Sequence, residues 1–355
     1  MRGLKELDNV IREKTAKQEF SGVVLIMQRD KEIFSGCYGH ADKSWRVPNT
    51  IETRFRIASI SKMFTAVAIL QLIEEGKIDF DTKVTEYLEL SNTKIPKEVD
   101  VESLLTHTSG IGDYYDESLG DEEWERIWSR IPIYKIRTNS DYISLFIDKD
   151  PINEVGKKYH YNGAGYILLG LIIEKASGLS YFDYVRKNVF NKIGMKDSDF
   201  LSLDKVYERV AEGYEAIRNS DGEIIEWNKN IYTTTPDAAA DGGATSTAHD
   251  LIKFIKALRN NNLLGERLSK EMFIPKVIDE EANGARGYTW MYGYGNSFVL
   301  NKENNIVRCG HTGEEYGVSA RLYYYPELET DIIILANQGM CAGVLGWDIH
   351  NMLLQ

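Results

Sequence analysis

The spacing of hydrophobic residues changes several times along the chain. Leu4, Leu7, Val10 and Ile11 recur at helical intervals among charged residues, which predicts an amphipathic first helix. Residues 22–29 and 32–38 are β-prone runs joined by the polar turn Arg29-Asp30-Lys31, the pattern of a hairpin. From Ser59 onward, Met63, Phe64, Val67, Ile69, Leu70, Leu72 and Ile73 cover most sides of a helix that Gly76 ends. A helix apolar nearly all round belongs in the interior. Residues 77–241 read mainly as helical stretches (101–105, 121–130, 140–147, 165–176 and 181–189) between loops rich in Gly, Asn and Asp. Strand signals return at 288–294, 297–300, 306–309, 318–325 and 331–336, and residues 343–354 predict a closing helix.

Strands joined by short turns imply an antiparallel sheet with the terminal helices on one face and the helical segment on the other, an α/β (α+β) class. Two domains are expected: residues 1–76 with 242–355 around the sheet, and residues 77–241 as a mainly helical insertion. A chain of 355 residues is long enough for a large core divided between two lobes. No internal repeat or low-complexity segment interrupts it.

Charge and composition narrow the function. The net charge of −12 repels phosphate backbones and anionic headgroups, so nucleic acid is not an expected partner. The longest apolar runs fall far below the roughly 20 residues of a membrane helix. The first helix lacks the continuous apolar stretch of a secretory signal, and a cytoplasmic protein is expected. Cys37, Cys309 and Cys341 are an odd number without CxxC spacing, hence expected as packed, reduced thiols. Six scattered histidines make no His-x-x-x-His pair, and no metal or other cofactor is expected.

Ser59-Ile60-Ser61-Lys62 sets a hydroxyl and an amine three residues apart, on one face if both are helical. The same spacing occurs at Ser91/Lys94 and Ser202/Lys205, but only Ser59 opens a long apolar helix. There the hydroxyl would meet a positive helix end, and a desolvated lysine would serve as its base. The plainer alternative, Ser59 as a helix cap and Lys62 as a surface charge, fits the spacing equally well. Two further elements lie downstream: Tyr161, just before the apolar run Ile167-Leu168-Leu169-Gly170-Leu171-Ile172-Ile173, and Gly310-His311-Thr312-Gly313 at the end of a β-run.

In this order the three elements resemble the serine β-lactamase and penicillin-binding protein family, in particular its class C β-lactamase, D-aminopeptidase and esterase branch. The likeness extends to Leu104-Leu105-Thr106-His107-Thr108-Ser109-Gly110-Ile111 and to Gly242-Gly243-Ala244-Thr245-Ser246-Thr247-Ala248. It implies a β-lactamase/DD-peptidase-like fold with the active site between the two domains. It also implies a serine hydrolase working through an acyl-enzyme on an ester, amide or D-amino acid peptide. Carried over by position, Ser59 is the nucleophile, Lys62 and Tyr161 share base and acid roles, and the backbone N–H groups of Ser59 and Glu314 form the oxyanion hole. Asn162, His311, Thr312 and Gly313 line the substrate. His107 is expected to be a structural hydrogen-bonding residue.

Two departures from the family pattern shape the expected specificity. The family's Tyr-x-Asn is here Tyr161-Asn162-Gly163, so its asparagine amide is missing or displaced, and Asn162 replaces it only if the loop turns differently. The family's third-motif lysine is His311, followed by Glu314-Glu315, and the segments 113–117 and 121–123 add further acid near the cleft. Substrates that are neutral or carry a free amino group are therefore expected over β-lactams; a solvated acidic helix remote from the cleft has equal claim to those charges. The alternatives to turnover are a penicillin-binding protein that acylates without efficient deacylation and a non-catalytic scaffold. The partner implied is a small-molecule or peptide substrate, with no particular oligomer.

Overall fold

The computed structural model describes residues 2–129 and 131–354. Eight strands form one antiparallel sheet: β1 (Gly22–Gln28), β2 (Lys31–Tyr38), β3 (Val277–Ile278), β4 (Thr289–Tyr292), β5 (Ser297–Leu300), β6 (Ile306–Glu315), β7 (Val318–Tyr325) and β8 (Thr330–Ala336). Their order is β2-β1-β8-β7-β6-β5-β4-β3. Pairing of Gly22 with Ala336 and Gln28 with Thr330 joins the two ends of the chain as the second and third strands from the β2 edge of the sheet.

The central strands are buried on both faces, which is why they read as unbroken apolar runs. On β1 and β8, Val23, Leu25, Ile333 and Leu335 enter the larger core. Their alternates Val24, Ile26, Ile332 and Ile334 enter a second core. Period-two alternation sends successive side chains to opposite faces. The second core is closed by helices α1 (Arg2–Ala16) and, at the other terminus, Cys341–Leu354, through Leu7, Ile11, Leu345 and Ile349. The larger core contains helix α2 (Ser61–Glu74), whose Met63, Phe64, Val67, Ile69, Leu70 and Leu72 are all fully buried. Short helix α3 (Val101–Leu105) and long helix α4 (Gly163–Ser177) pack in the same core.

Several expected elements have different bounds. The strand expected over 306–309 continues to Glu315, so His311, Thr312 and Gly313 lie within it. The stretch expected as one helix over 181–189 is α-helical only to Val185 and then widens into a π-type turn over Arg186–Phe190. The helix expected over 121–130 ends at Trp128, and Arg130 lies outside the described residues. A hairpin of Tyr214–Arg218 and Ile224–Lys229 and a helix α5 (Ala248–Arg259) were not expected. Thr247 caps α5 by accepting from Asp250 N, and Leu251, Phe254, Ile255 and Leu258 bury one side of it, so its signal was local and available. Cys309 is packed as expected, whereas Cys37 is exposed. Among the described residues no helix is long and apolar enough to cross a membrane.

The turn that carries Ser59 is fastened on both sides. Phe55 and Arg56 pair antiparallel with Ser246 and Thr245. Ile57 N donates to Ala244 O at 2.9 Å. The Ser61 hydroxyl donates to Ala58 O at 2.7 Å and accepts from Ala244 N at 3.0 Å. Ser59 sits in a single 3₁₀ turn, Ala58–Ile60, preceding α2 rather than capping it. Ala58 is left-handed at φ 45°, a costly conformation for a residue with a Cβ. From the other side β6 comes so close that a Cβ on Gly313 would stand 2.1 Å from Ile57 O. Gly313→Ala is therefore expected to lower stability by at least about 2 kcal/mol and to pry β6 from the serine turn. Urea unfolding and the rate of fluorophosphonate labelling at Ser59 check both effects; a variant as stable as the parent would contradict the close approach.

Candidate active site

Ser59, Lys62 and Tyr161 converge. Lys62, in the first turn of α2 and 2% exposed, donates from Nζ to Ser59 Oγ at 3.1 Å and to Asp241 O at 2.6 Å. Tyr161 borders the same cleft space as Ser59, and Lys62 Nζ lies 4.8 Å from the Tyr161 ring centroid and 5.5 Å from that of Tyr166. Burial, followed by the charge of Glu117, holds the Tyr161 phenol well above the usual range, so it is protonated at rest. The reading of Lys62 as a surface charge is excluded by its burial.

Asn162 does not face the substrate side. Its Oδ1 accepts from Gly165 N at 2.8 Å as the cap of α4, and its Nδ2 donates to Ile111 O at 2.9 Å. Both ends of the amide are consumed, and the loop does not turn so as to replace the family's asparagine. The corresponding volume at Gly163 is filled from elsewhere. A Cβ there would meet the Tyr114 ring at 2.9 Å and Asp241 Oδ2 at 3.0 Å. Tyr114 OH donates to that same Asp241 oxygen at 2.5 Å. Asp113 accepts from Gly163 N at 2.6 Å and Ala164 N at 3.0 Å, occupying the start of α4, where the helix dipole favours a carboxylate.

On the opposite wall, Thr312 and Glu314 border the same space as Ser59. His311 is 3% exposed and fully engaged. Its Nδ1 lies 2.6 Å from Thr312 O, so the hydrogen is on Nδ1, and Nε2 accepts from Tyr292 OH at 2.9 Å. Burial lowers its pKa to about 3, leaving a neutral imidazole at this position. Glu314 and Glu315 were expected to make the cleft acidic, but both are paired. Glu314 contacts Arg321 at 2.6 Å, and Glu315 contacts Arg56 at 2.6 Å.

The cleft has two chambers that share Ser59, Glu117 and Glu314. The first, about 470 Å³, is bordered by Lys62, Tyr114, Tyr115, Trp124, Tyr142 and Asp241. The second, about 420 Å³, is bordered by Tyr159, Tyr161, Asp279, Glu281, Trp290 and Tyr292. Of the acid expected over 113–117 and 121–123, only Glu117 borders either chamber among the described residues. Asp116 caps a short turn and faces His160 at 3.2 Å, and Glu123 contacts Arg126 at 2.9 Å. The acid facing the second chamber comes instead from Asp279 and Glu281. Burial raises the Asp279 carboxyl above its usual range against the pull of the Ala282 amide, and the charge of Glu281 adds to the shift.

Sequence reasoning missed Asp241, whose carbonyl holds Lys62 and whose carboxylate holds Tyr114. Its signal was slight: an acid directly before Gly242-Gly243, which the resemblance already marked. Among the described residues, no group of three or more His, Cys, Asp or Glu side chains is arranged to hold a metal ion.

The Beta-lactamase family pattern matches residues 7–340, and the chain belongs to this family. Penicillin-binding protein 4* of Bacillus subtilis is 27% identical over 344 residues, covering 94% of this chain and 72% of that protein. The crystal structure of a penicillin-binding protein from Bacillus halodurans superposes with a TM-score of 0.86 at 34% identity, covering 96% of this chain and 99% of that one. A D-amino acid amidase from Ochrobactrum anthropi shares the fold, with a TM-score of 0.72 at 23% identity and coverage of 98% and 97%.

The neutral His311 has a consequence for acid stability. Its folded pKa of about 3 lies below the unfolded value near 6.5, so the unfolded chain takes up the proton first as pH falls. The stabilisation is complete above about pH 6.5 and is lost progressively toward pH 3. His311→Gln is expected to show a shallower drop in urea midpoint between pH 7 and pH 5 than the parent; an identical slope would mean that His311 titrates normally.

Proposed function

We propose that the protein is a serine hydrolase that forms an acyl-enzyme at Ser59. The observation that carries this reading is the convergence on one cleft of a serine hydroxyl, a buried amine bonded to it and a protonated phenol. In its unprotonated form Lys62 accepts the Ser59 proton as Oγ attacks a carbonyl carbon, and Tyr161 donates a proton to the departing alcohol or amine. The proton taken by Lys62 restores that of Tyr161, and water then cleaves the Ser59 ester to return the free enzyme. The N–H groups of Ser59 and Glu314 hold the oxyanion, each such donor typically contributing about 3 kcal/mol in the transition state. The approach of Gly313 to Ile57 and Ala58 supports that assignment, because it brings the two backbone segments to one wall of the cleft.

The charge distribution supports substrates that are neutral or carry an ammonium group: esters, amides or D-amino acid peptides. In the first chamber Glu314 and Glu315 are answered by arginines and Asp241 by Tyr114. In the second chamber Glu117, Asp279 and Glu281 stand beside aromatic rings, with His160 Nδ1 3.4 Å from Glu281, and His311 is neutral. Aromatic faces with carboxylates attract organic cations and repel a carboxylate. Tyr161 borders this second chamber, so the leaving group is assigned to it. The names of the two penicillin-binding relatives favour a second reading, acylation by penicillin without efficient turnover.

Intact-mass analysis after a fluorophosphonate and after a penicillin, with the adduct mapped, separates these readings. A single adduct at Ser59 that is lost in Ser59→Ala is expected with the fluorophosphonate; absence of any Ser59 adduct would leave only a binding scaffold. A stable penicilloyl adduct with no ester turnover would favour the second reading. For specificity, a choline ester is expected to exceed its uncharged 3,3-dimethylbutyl isostere in kcat/KM by about tenfold. Equal rates would refute the charge argument.

A further inference from the structure

Tyr161 stands on irregular backbone between a loop and the start of α4, so its own segment does not fix its phenol. The neighbours of Tyr161 on both sides are instead bonded to one residue. His160 N donates to His107 O at 2.9 Å, and Asn162 N donates to His107 Nδ1 at 3.1 Å. The imidazole also lies flat enough against the phenol to pack on it, with ring centroids 4.5 Å apart and planes 40° apart. Tyr166 and Tyr292 hold the remainder of the ring, at 5.0 and 4.7 Å.

We infer that His107 is a positioning residue for Tyr161: a neutral imidazole whose main-chain oxygen and Nδ1 bracket the tyrosine and whose ring carries the phenol. This rests on the role proposed above for Tyr161 and extends it to a residue that touches neither substrate nor Ser59.

Three observations fit this role better than that of a general core histidine. The residue is 1% exposed, yet Nε2 has no hydrogen-bond partner among the described residues, so the ring is kept for the one acceptor it offers at Nδ1. With Nδ1 accepting, the hydrogen must be on Nε2. Burial lowers its pKa well below the ordinary value, which keeps the Nδ1 lone pair free to accept. His107 is also left-handed at φ 57°, a conformation that Asn tolerates better than most residues. That strain places the carbonyl and the ring of one residue on the two sides of Tyr161.

The test is a set of three variants. His107→Asn keeps an acceptor at the position of Nδ1 and tolerates the backbone; His107→Phe keeps a ring but offers no acceptor; Tyr161→Phe removes the phenol. Misplacing a catalytic group by an ångström costs on the order of a hundredfold. His107→Phe is therefore expected to lower kcat for ester turnover by at least about tenfold with KM little changed, and His107→Asn to recover most of it. In the Tyr161→Phe background the His107→Phe change should add little, because its effect passes through the phenol. Amide exchange gives a readout independent of activity. His107→Phe should speed exchange at Asn162 N, which loses its acceptor, and spare His160 N, which bonds to main chain.

A His107→Phe variant that is folded and as active as the parent would overturn the inference. So would an equal further loss in the Tyr161→Phe background, or unchanged exchange at Asn162. If Tyr161→Phe alone leaves turnover intact, the proposed catalytic role of Tyr161 fails, while the exchange result still decides whether His107 holds the loop.

Discussion

The buried amine of Lys62 is the constraint around which the cleft is arranged. A polar group taken out of water must find partners, and at 2% exposure Lys62 finds them in three separate parts of the chain. The 3₁₀ turn before its own helix supplies Ser59, the segment returning to the sheet supplies Asp241 O, and the loop before α4 and the first turn of α4 supply the faces of Tyr161 and Tyr166. Satisfying one amine thus fixes the serine turn, the Asp241 turn and the tyrosine loop relative to one another. Neighbouring contacts reinforce the arrangement: Thr65 Oγ1 donates to Ala240 O at 2.5 Å, and Ala240 N donates to Asn139 Oδ1 at 2.9 Å.

The charge of the cleft follows from pairing, not from composition. A net charge of −12 and acidic runs beside the motifs suggested an acid-lined site. Most of that acid is taken up locally or over long range: Asp113 at the start of α4, Glu315 by Arg56, Glu314 by Arg321. What remains against the second chamber is small in number and set among rings. A neutral His311 there matters as much as the acids, because it withholds the one cation that an anionic substrate would need.

The readable part of the site was its local part. Ser59 and Lys62 could be found because a hydroxyl and an amine one turn apart open a helix too apolar to lie anywhere but inside, and the two β1 and β8 runs could be found because both faces of those strands are buried. Asp241 and Tyr114 could not, since their contact spans a distance in sequence that no spacing rule covers, and what it fills is the space left by the absent side chain of Gly163. Asn162 misled for the opposite reason: beside the tyrosine it looked like a substrate ligand, but an asparagine directly before a helix is best used as its cap. The strand carrying His311 extends past the β-signal of 306–309 through Gly310. At φ 142° Gly310 continues the strand, where a Cβ would strike Leu322 O at 1.9 Å.

Backbone strain lies beside both groups that contact the candidate nucleophile's chemistry. Ala58, immediately before Ser59, and His107, packed on Tyr161, are both left-handed without being glycine. Each such residue costs on the order of 1–3 kcal/mol and persists only where its surroundings over-determine it. At Ala58 the surroundings are the Ser61 hydroxyl bridge and the bond from Gly243 N to Ala58 O at 3.3 Å. At His107 they are the two amides flanking Tyr161 and four aromatic rings. Neither strained residue is needed to complete the sheet or the helices. Both present a side chain or a carbonyl that regular backbone would turn away, Ala58 held by Ser61 and by Gly243 of the returning segment, His107 by the amides on either side of Tyr161. The strain is thus spent where the hydroxyl and the phenol meet, which ties the precision of that meeting to the stability of the two turns.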